Sequence, residues 1–140
     1  MSNKVEFGSL FLRFVVGVTF FLHGLAKFQS GLDNIAGWFQ SIGLPGFMAY
    51  GIAGIELIGG FLLIIGLGTR YLSWVFVLIM AGAIVKVKLA NGFLGNGQMP
   101  GYELDVILLA TSAYLGLNGS RLLAVDGLFQ KSASEVKIGK

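Results

Sequence analysis

Charged and titratable side chains interrupt the long apolar stretches of this sequence. Arg13 and His23 lie within the first stretch, and Glu56 lies in the middle of the second. The ends of two later stretches carry further charged residues, which are Lys86, Lys88, Glu103 and Asp105. A charged side chain at the centre of a membrane helix costs roughly 2.5 to 3.5 kcal/mol on insertion scales, so such residues usually face the interior of a helix bundle. They are the first candidates for a functional site.

The composition indicates a membrane protein. Of 140 residues, 55% are hydrophobic and 12% are charged, against about 25% charged residues in an average soluble domain. The 22 glycines suit closely packed membrane helices. Cysteine is absent, which excludes disulfides, thiolate nucleophiles and clusters or zinc ions held by cysteine. The net charge of +3 comes mainly from Lys and Arg residues that flank the apolar stretches, so it indicates topology rather than nucleic-acid binding.

Four stretches approach the ~20 residues that cross a hydrocarbon core ~30 Å thick. They cover about residues 7–27, 47–67, 71–89 and 102–117. In the linker 28–46, apolar residues recur at i, i+3, i+4 and i+7, which predicts an interfacial helix that covers the bundle. The predicted fold class is therefore all-α: an integral membrane four-helix bundle with an interfacial helix between spans one and two.

Positive charges predict the orientation of the spans. One group lies near the chain ends and between spans two and three: Lys4, Arg70, Arg121, Lys131, Lys137 and Lys140. A smaller group lies on the other side: Lys27, Lys86 and Lys88. Because Lys and Arg are enriched in cytoplasmic loops, both termini are predicted to be cytoplasmic in a multi-pass protein of the cell membrane. Residues 1–6 are then a cytoplasmic N-terminus, residues 7–118 the four-span domain and residues 119–140 a cytoplasmic tail.

One face of the first span predicts a polar pocket. Its residues follow spacings of 4, 3, 3, 1 and 3, which place them on one side of a helix: Arg13, Gly17, Phe20, His23, Gly24 and Lys27. Lys86, Glu103 and Asp105 are expected at a similar depth in the outer half of the bundle. Histidine titrates near pH 6.5, so His23, Glu103 and Asp105 are candidates for proton transfer, although His23 is equally able to serve as a structural hydrogen-bond donor. The binding candidates are Arg13, Phe20, Lys27, Glu56, Lys86 and Tyr102.

An ion pair between Arg13 and Glu56 is expected beneath this pocket, because a long Arg side chain can span their difference in depth. It would serve either the site or only the register of the helices. Lys88 is expected to be an end residue whose ammonium reaches the membrane surface, rather than a site residue. His23 is the only histidine, which excludes a two-histidine metal centre and bis-histidine haem, and no metal site is predicted.

These residues carry a resemblance to the DoxX family, over about residues 10 to 127. The matching motifs are Leu12-Arg13, Gly17, Phe20, His23-Gly24-Leu25-Ala26-Lys27, Gly43-Leu44-Pro45, Glu56 with Gly59-Gly60, and Tyr102-Glu103-Leu104-Asp105. Residues 118–126 resemble the closing motif of the family, although a Pro and a Ser of that motif are missing. The resemblance implies a bacterial membrane protein. Members are described as subunits of thiosulfate:quinone oxidoreductase, as partners of oxidative-stress enzymes, and as oxidoreductases linked to catechol and hydroquinone resistance, the group that this chain resembles most.

Quinone or catechol chemistry, which the resemblance implies, needs a flat apolar slot, proton donors or acceptors, and a path for two electrons. The candidates for the slot are Phe20, Phe21, Trp74 and Tyr102. The sequence has no evident site for flavin, haem, iron–sulfur clusters or nicotinamide, so the electrons require a partner or exchange between two bound quinones.

Three hypotheses stay open. They are a membrane subunit of a redox system that handles quinones or catechols, a carrier for a small solute, and a scaffold that recruits a soluble redox enzyme. The expected partners are the lipid bilayer, a small aromatic or quinone ligand, and a soluble redox partner or a second copy of the chain.

Overall fold

The computed structural model describes residues 2–129, and within that range the protein is all-helical. The helices are α1 (Asn3–Ser30), α2 (Leu32–Ser41), α3 (Phe47–Ile65), α4 (Thr69–Ala83) and α5 (Glu103–Asn118). After α4 the chain continues as a π-helical turn, Ile84–Lys88, and a short 3-10 turn, Leu89–Asn91. No strand is present between residues 2 and 129, only a single bridge between Gly95 and Pro100. The all-α prediction is therefore confirmed.

Three helical segments of this region are long and apolar enough to cross a membrane: Asn3–Ser30, Phe47–Ile65 and Thr69–Asn91. They cover nearly all of the first three predicted spans. The fourth predicted span corresponds to α5, whose 16 residues rise about 24 Å at 1.5 Å per residue. The predicted linker helix exists as α2, and it buries Ala36 and Phe39 against α3.

The helices pack most closely as two pairs, α1 with α3 and α4 with α5, and contacts of α1 with α5 and of α3 with α4 complete the bundle. Glycines bring the first pair together. A Cβ atom added to Gly24 would lie 2.5 Å from the backbone nitrogen of Leu57, and one added to Gly60 would lie 2.4 Å from that of Phe21. Small residues at helix crossings allow this close approach of two backbones.

Two stacked rings join the helix pairs in the core. Phe20 of α1 and Phe76 of α4 are fully buried, with ring centroids 3.8 Å apart and nearly parallel planes. Other apolar side chains complete this core: Val16, Leu63, Met80, Leu108 and Leu115. Burial of so many large apolar side chains between the pairs fixes their relative position.

The turn between α3 and α4 is only three residues long, and it is held by the segment that follows α5. The Asp126 carboxylate accepts the backbone N–H groups of Gly68 and Thr69 at 3.0 and 3.2 Å. The Asp126 N–H in turn donates to the Gly66 carbonyl. Residues 119–129, which were predicted to begin a tail, thus pack against the bundle. The rest of the predicted tail, residues 130–140 with Lys131, Lys137 and Lys140, lies outside the described residues, as does Met1.

Candidate functional site

A cavity of about 420 Å³ lies at the end of the bundle where α1 ends and α5 begins. This volume is within the range of small-molecule sites, roughly 300 to 1,000 Å³. All five helices and the π-helical turn contribute to its wall. The wall is mainly aliphatic, and its aromatic and titratable members are Phe20, Trp38, Phe39, His23, Lys27, Glu56, Lys86, Lys88 and Asp105. Such a cavity suits a small, mostly apolar ligand that carries a few polar atoms.

The first polar feature of the wall is an ion pair between α1 and α3. The Lys27 Nζ atom donates to Glu56 Oε2 at 2.5 Å. The Glu56 side chain is 4% exposed and that of Lys27 is 26% exposed, so the carboxylate is buried and the ammonium is partly accessible. Gly24 lies one helical turn before Lys27, and the close approach of the backbones at Gly24 brings the two charges within reach.

The second polar feature is an ion pair between the π-helical turn and α5. The Lys88 Nζ atom donates to Asp105 Oδ2 at 2.8 Å, and the Asp105 side chain is 7% exposed. A π-helical turn widens the helix and changes the direction of the side chains that follow, and such turns are frequent at functional sites. Each closely packed helix pair therefore supplies one ion pair of a lysine and a buried carboxylate to the same cavity.

Two further titratable side chains line the cavity without a partner. His23 and Lys86 form no ion pair or side-chain hydrogen bond with any residue of the range 2–129. His23 is an exposed residue of α1, whereas Phe20, one turn deeper, is buried on the same face. The cavity thus combines an aromatic inner end with polar groups that are accessible to a ligand.

The structure brings together six of the predicted site residues, namely Phe20, His23, Lys27, Glu56, Lys86 and Asp105. The other three, Arg13, Tyr102 and Glu103, do not line this cavity, and neither do the predicted slot residues Phe21 and Trp74. Glu103 is exposed on α5, and Tyr102 packs edge-on against Phe93. Glu103 and Asp105 were predicted at a similar depth in one pocket. This prediction is wrong, because the two side chains lie in different environments.

The predicted ion pair between Arg13 and Glu56 is wrong. Glu56 is bound by Lys27 near the end of α1, and Arg13 lies in the N-terminal half of that helix. The Arg13 guanidinium donates to the Ser120 carbonyl and hydroxyl and to the carbonyls of Leu122 and Leu123, at 2.9 to 3.3 Å. Arg13 is 1% exposed, and carbonyl oxygens of the segment after α5 take the place of the expected carboxylate. Its hydrogen bonds hold this segment against the bundle.

Three aromatic or charged residues of the wall were not among the predicted site residues: Lys88, Trp38 and Phe39. The expectation that Lys88 extends to the membrane surface is wrong, because its ammonium binds the buried Asp105. Lys88 ends the third apolar stretch and Asp105 lies at the start of the fourth, so antiparallel packing of the two stretches was a usable signal. Trp38 lies next to the apolar face of α2 that packs on α3, so its place at the cavity follows from how α2 docks. Within the described range, no three His, Asp or Glu side chains cluster closely enough to hold a metal ion.

Comparisons with known proteins agree with the motifs. The DoxX family model matches residues 8–89. A Bacillus subtilis protein named "Putative oxidoreductase CatD" is 51% identical over 126 residues, which cover 90% of each chain. An "Uncharacterized protein" of Haemophilus influenzae is 34% identical, over 86% of this chain and 90% of its own length.

A third relative, the "Uncharacterized membrane protein Rv3486" of Mycobacterium tuberculosis, is 30% identical over 88% of this chain and 82% of its own. No solved structure matches the chain. The family match and the apolar helices identify a membrane protein. The chain belongs to the DoxX family and is similar to CatD within it.

Proposed function

We propose that this protein is the membrane-integral component of a redox system that handles catechols, hydroquinones and the quinones derived from them. One observation carries the proposal: a cavity with aromatic and aliphatic walls also holds two lysine–carboxylate pairs, and it is lined by His23 and Lys86, which have no partner within residues 2–129. The name of the CatD relative, an oxidoreductase, supports the same direction.

The shape and chemistry of the wall suit a flat aromatic ring. Phe20, Trp38 and Phe39 offer ring faces or edges, and aliphatic side chains close the remaining sides. A ring with two oxygen atoms has polar groups that must be hydrogen-bonded when it leaves water. The ammonium groups of Lys27, Lys86 and Lys88 are donors for those oxygens.

Oxidation of a catechol to a quinone releases two protons and two electrons. The positive charge of Lys86 favours the catechol as its monoanion, because a nearby cation stabilises a phenolate. The first proton passes to water when the monoanion forms. His23 is accessible and has no partner within residues 2–129, so it serves as acceptor for the second proton. The Glu56 and Asp105 carboxylates fix the lysines around the ring. The electrons pass to a redox group on a partner protein or to a second quinone.

A carrier for the same aromatic compounds is the main alternative. The stacked rings of Phe20 and Phe76 close the bundle at the inner end of the cavity, and a site closed on one side also suits the binding step of transport. A carrier moves its ligand without changing its oxidation state. Uptake of labelled catechol into proteoliposomes, measured beside quinone reduction on the same sample, separates the two functions.

The proposed arrangement in the membrane follows from the helix lengths and the charges. α1, α3 and α4 with its π-helical extension form three spans, and we place α5 as a fourth span beside α4. We place α2, with its buried face against α3, in the outer interface as a cover over the cavity. Both termini then lie in the cytoplasm and the cavity opens outward.

Tryptophan fluorescence tests ligand binding, because the two tryptophans of the chain differ in position. Trp38 lines the cavity, whereas Trp74 lies against Gly116 on the surface of the α4–α5 pair. We expect 1,4-naphthoquinone to quench the fluorescence of the purified protein in a saturable manner. The saturable component should disappear in Trp38→Phe and persist in Trp74→Phe. Quenching that increases linearly with quinone, and equally in the native protein and both variants, contradicts a site in this cavity.

A further inference from the structure

A second cavity, of about 390 Å³, lies at the opposite end of the bundle, where α4 begins and α5 ends. We call it the basic cavity; its wall consists of residues 68–71, residues 118–121, Asp126 and Phe129. Two arginines, Arg70 and Arg121, line it, and neither forms an ion pair with another residue of the described range. The proposed redox function makes no use of these residues.

One of the two arginine side chains lies close to the backbone of the cavity wall. Arg70 lies across Gly119, where an added Cβ atom would be 3.2 Å from the Arg70 Nε atom. Gly119 has a φ of +70°, a backbone conformation that residues other than glycine rarely adopt. Both the limited room for a Cβ atom and the positive φ at this position therefore favour glycine. Without a side chain at Gly119, the Arg70 side chain can lie beside the segment that carries Arg121.

Thr69 provides an independent sign that a ligand belongs here. This residue of the cavity wall is 2% exposed, and its hydroxyl has no hydrogen-bond partner within residues 2–129. A buried polar group without a partner costs roughly 1 to 3 kcal/mol, so most such groups in proteins are satisfied by a protein group, water or a ligand. A rotation of the Thr69 side chain that turns its buried hydroxyl toward the cavity would let an oxygen atom of a bound anion satisfy it.

The electrostatics of the basic cavity favour an anion. The wall includes the first turn of α4, where the helix dipole is positive and the first N–H groups have no partner within the helix. Asp126 is the one acidic residue of the wall, and its two carboxylate oxygens already accept the N–H groups of Gly68 and Thr69. Two arginines thus line the cavity together with one carboxylate, whose two oxygens each already accept one backbone N–H group.

We propose that the basic cavity binds a phosphate group, and that the phosphate is that of an anionic membrane lipid. Arginine binds phosphate oxygens through paired N–H groups, and basic pockets between membrane helices on the cytoplasmic side bind lipid headgroups. Two exposed aromatic residues of the wall, Tyr71 and Phe129, favour the lipid over free phosphate. Aromatic side chains concentrate at the level of the headgroups, where acyl chains lie within their reach.

Native mass spectrometry of the full chain tests this proposal in micelles that contain phosphatidylglycerol and phosphatidylcholine. We expect the native protein to retain phosphatidylglycerol preferentially. Arg70→Gln and Arg121→Gln should each lower this retention by about tenfold, the loss expected for one hydrogen bond to a charged group. Lys4→Gln is the matched control, because Lys4 is an exposed cation of the same proposed membrane face that does not line the cavity. The Lys4→Gln variant should retain phosphatidylglycerol within a factor of about two of the native value.

Thr69→Val keeps the test valid if an arginine variant folds poorly, because valine has nearly the same shape as threonine. It removes the unpartnered hydroxyl, so we expect a raised melting temperature in phosphatidylcholine alone and a lowered retention of phosphatidylglycerol. Millimolar inorganic phosphate distinguishes the two sources of the anion. If inorganic phosphate displaces no phosphatidylglycerol, the lipid is the ligand. If inorganic phosphate displaces the lipid and stabilises the native protein but not Arg70→Gln, the site binds free phosphate. Equal retention of phosphatidylglycerol by the native protein and all variants overturns the proposal.

Discussion

Lys27 and Glu56 form an ion pair, 2.5 Å between Nζ and Oε2, that joins the end of α1 to the middle of α3. Arg13, the other basic residue on this face of α1, lies 14 residues away, about 21 Å along the helix. The two cations therefore act at opposite ends of the bundle. Lys27 borders the candidate site, whereas Arg13 holds the segment after α5.

The ion pair predicts that substitutions of Lys27 and Glu56 have coupled effects on the free energy of unfolding. Glu56→Leu should leave the Lys27 ammonium beside an apolar wall without its counter-ion. Lys27→Leu should leave the buried Glu56 carboxylate without its counter-ion. Loss of one partner of a buried pair costs about 3 to 5 kcal/mol, and the partly exposed Lys27 side chain places this pair toward the lower end. The double variant should be more stable than the sum of both losses predicts, as measured by unfolding in mixed detergent.

Arg13 supplies the control for that cycle. Arg13 and Glu56 share no hydrogen-bond partner, so the effects of Arg13→Leu and Glu56→Leu should add within about 0.5 kcal/mol. Strong coupling between Arg13 and Glu56, together with additivity between Lys27 and Glu56, would contradict the observed pairing.

Gly24 should tolerate no side chain. Its Cβ atom would lie 2.5 Å from the Leu57 nitrogen, so Gly24→Ala must push α1 away from α3 and separate Lys27 from Glu56. We expect a loss of folded protein in detergent and of quinone binding. Gly54→Ala is the matched control, because an added Cβ meets nothing within 4 Å there, and alanine favours a helix by up to about 1 kcal/mol. Equal melting temperatures for the two variants would count against the close α1–α3 contact.

Two acidic residues at the start of α5 should differ in their effect on catechol tolerance. Asp105 is buried and binds Lys88 in the cavity wall, whereas Glu103 is exposed outside it. Asp105→Asn should therefore reduce the tolerance of cells to catechol, because it releases Lys88, while Glu103→Gln should leave tolerance near the native level. Immunoblots of membranes must show equal protein amounts. A greater loss in Glu103→Gln than in Asp105→Asn would place the functional surface elsewhere.

Reporter fusions test the proposed orientation. Fusions after Lys4 and Lys140 should register as cytoplasmic, and an insertion at Asn96 as external, because most flanking Lys and Arg residues lie near the two termini and the α3–α4 turn. An external signal at Lys140 would reverse the proposed orientation or remove one span. The accessibility of Asn96 to a membrane-impermeant label after cysteine substitution is an independent measurement, since the native chain has no cysteine.

The sequence by itself determined the helices. A segment in the hydrocarbon core must satisfy its backbone hydrogen bonds internally, so about 20 apolar residues in a row predict a helix without knowledge of its neighbours. The helical spacing of apolar residues in the linker located α2. Charges within or at the ends of such segments usually turn away from lipid, and this rule predicted a polar pocket whose members His23, Lys27, Lys86 and Asp105 line one cavity together with Glu56.

Tertiary structure decided the partners. Glu56 binds Lys27 rather than Arg13, because the glycine contacts set the register of α1 against α3. Most acceptors of Arg13 are backbone carbonyls, which every residue type carries, so the sequence could not identify them. Glu103 and Asp105 lie two residues apart on a helix, so they point about 160° away from each other and only one can enter the cavity. The packing of α5 against α4 buries Asp105 and leaves Glu103 exposed.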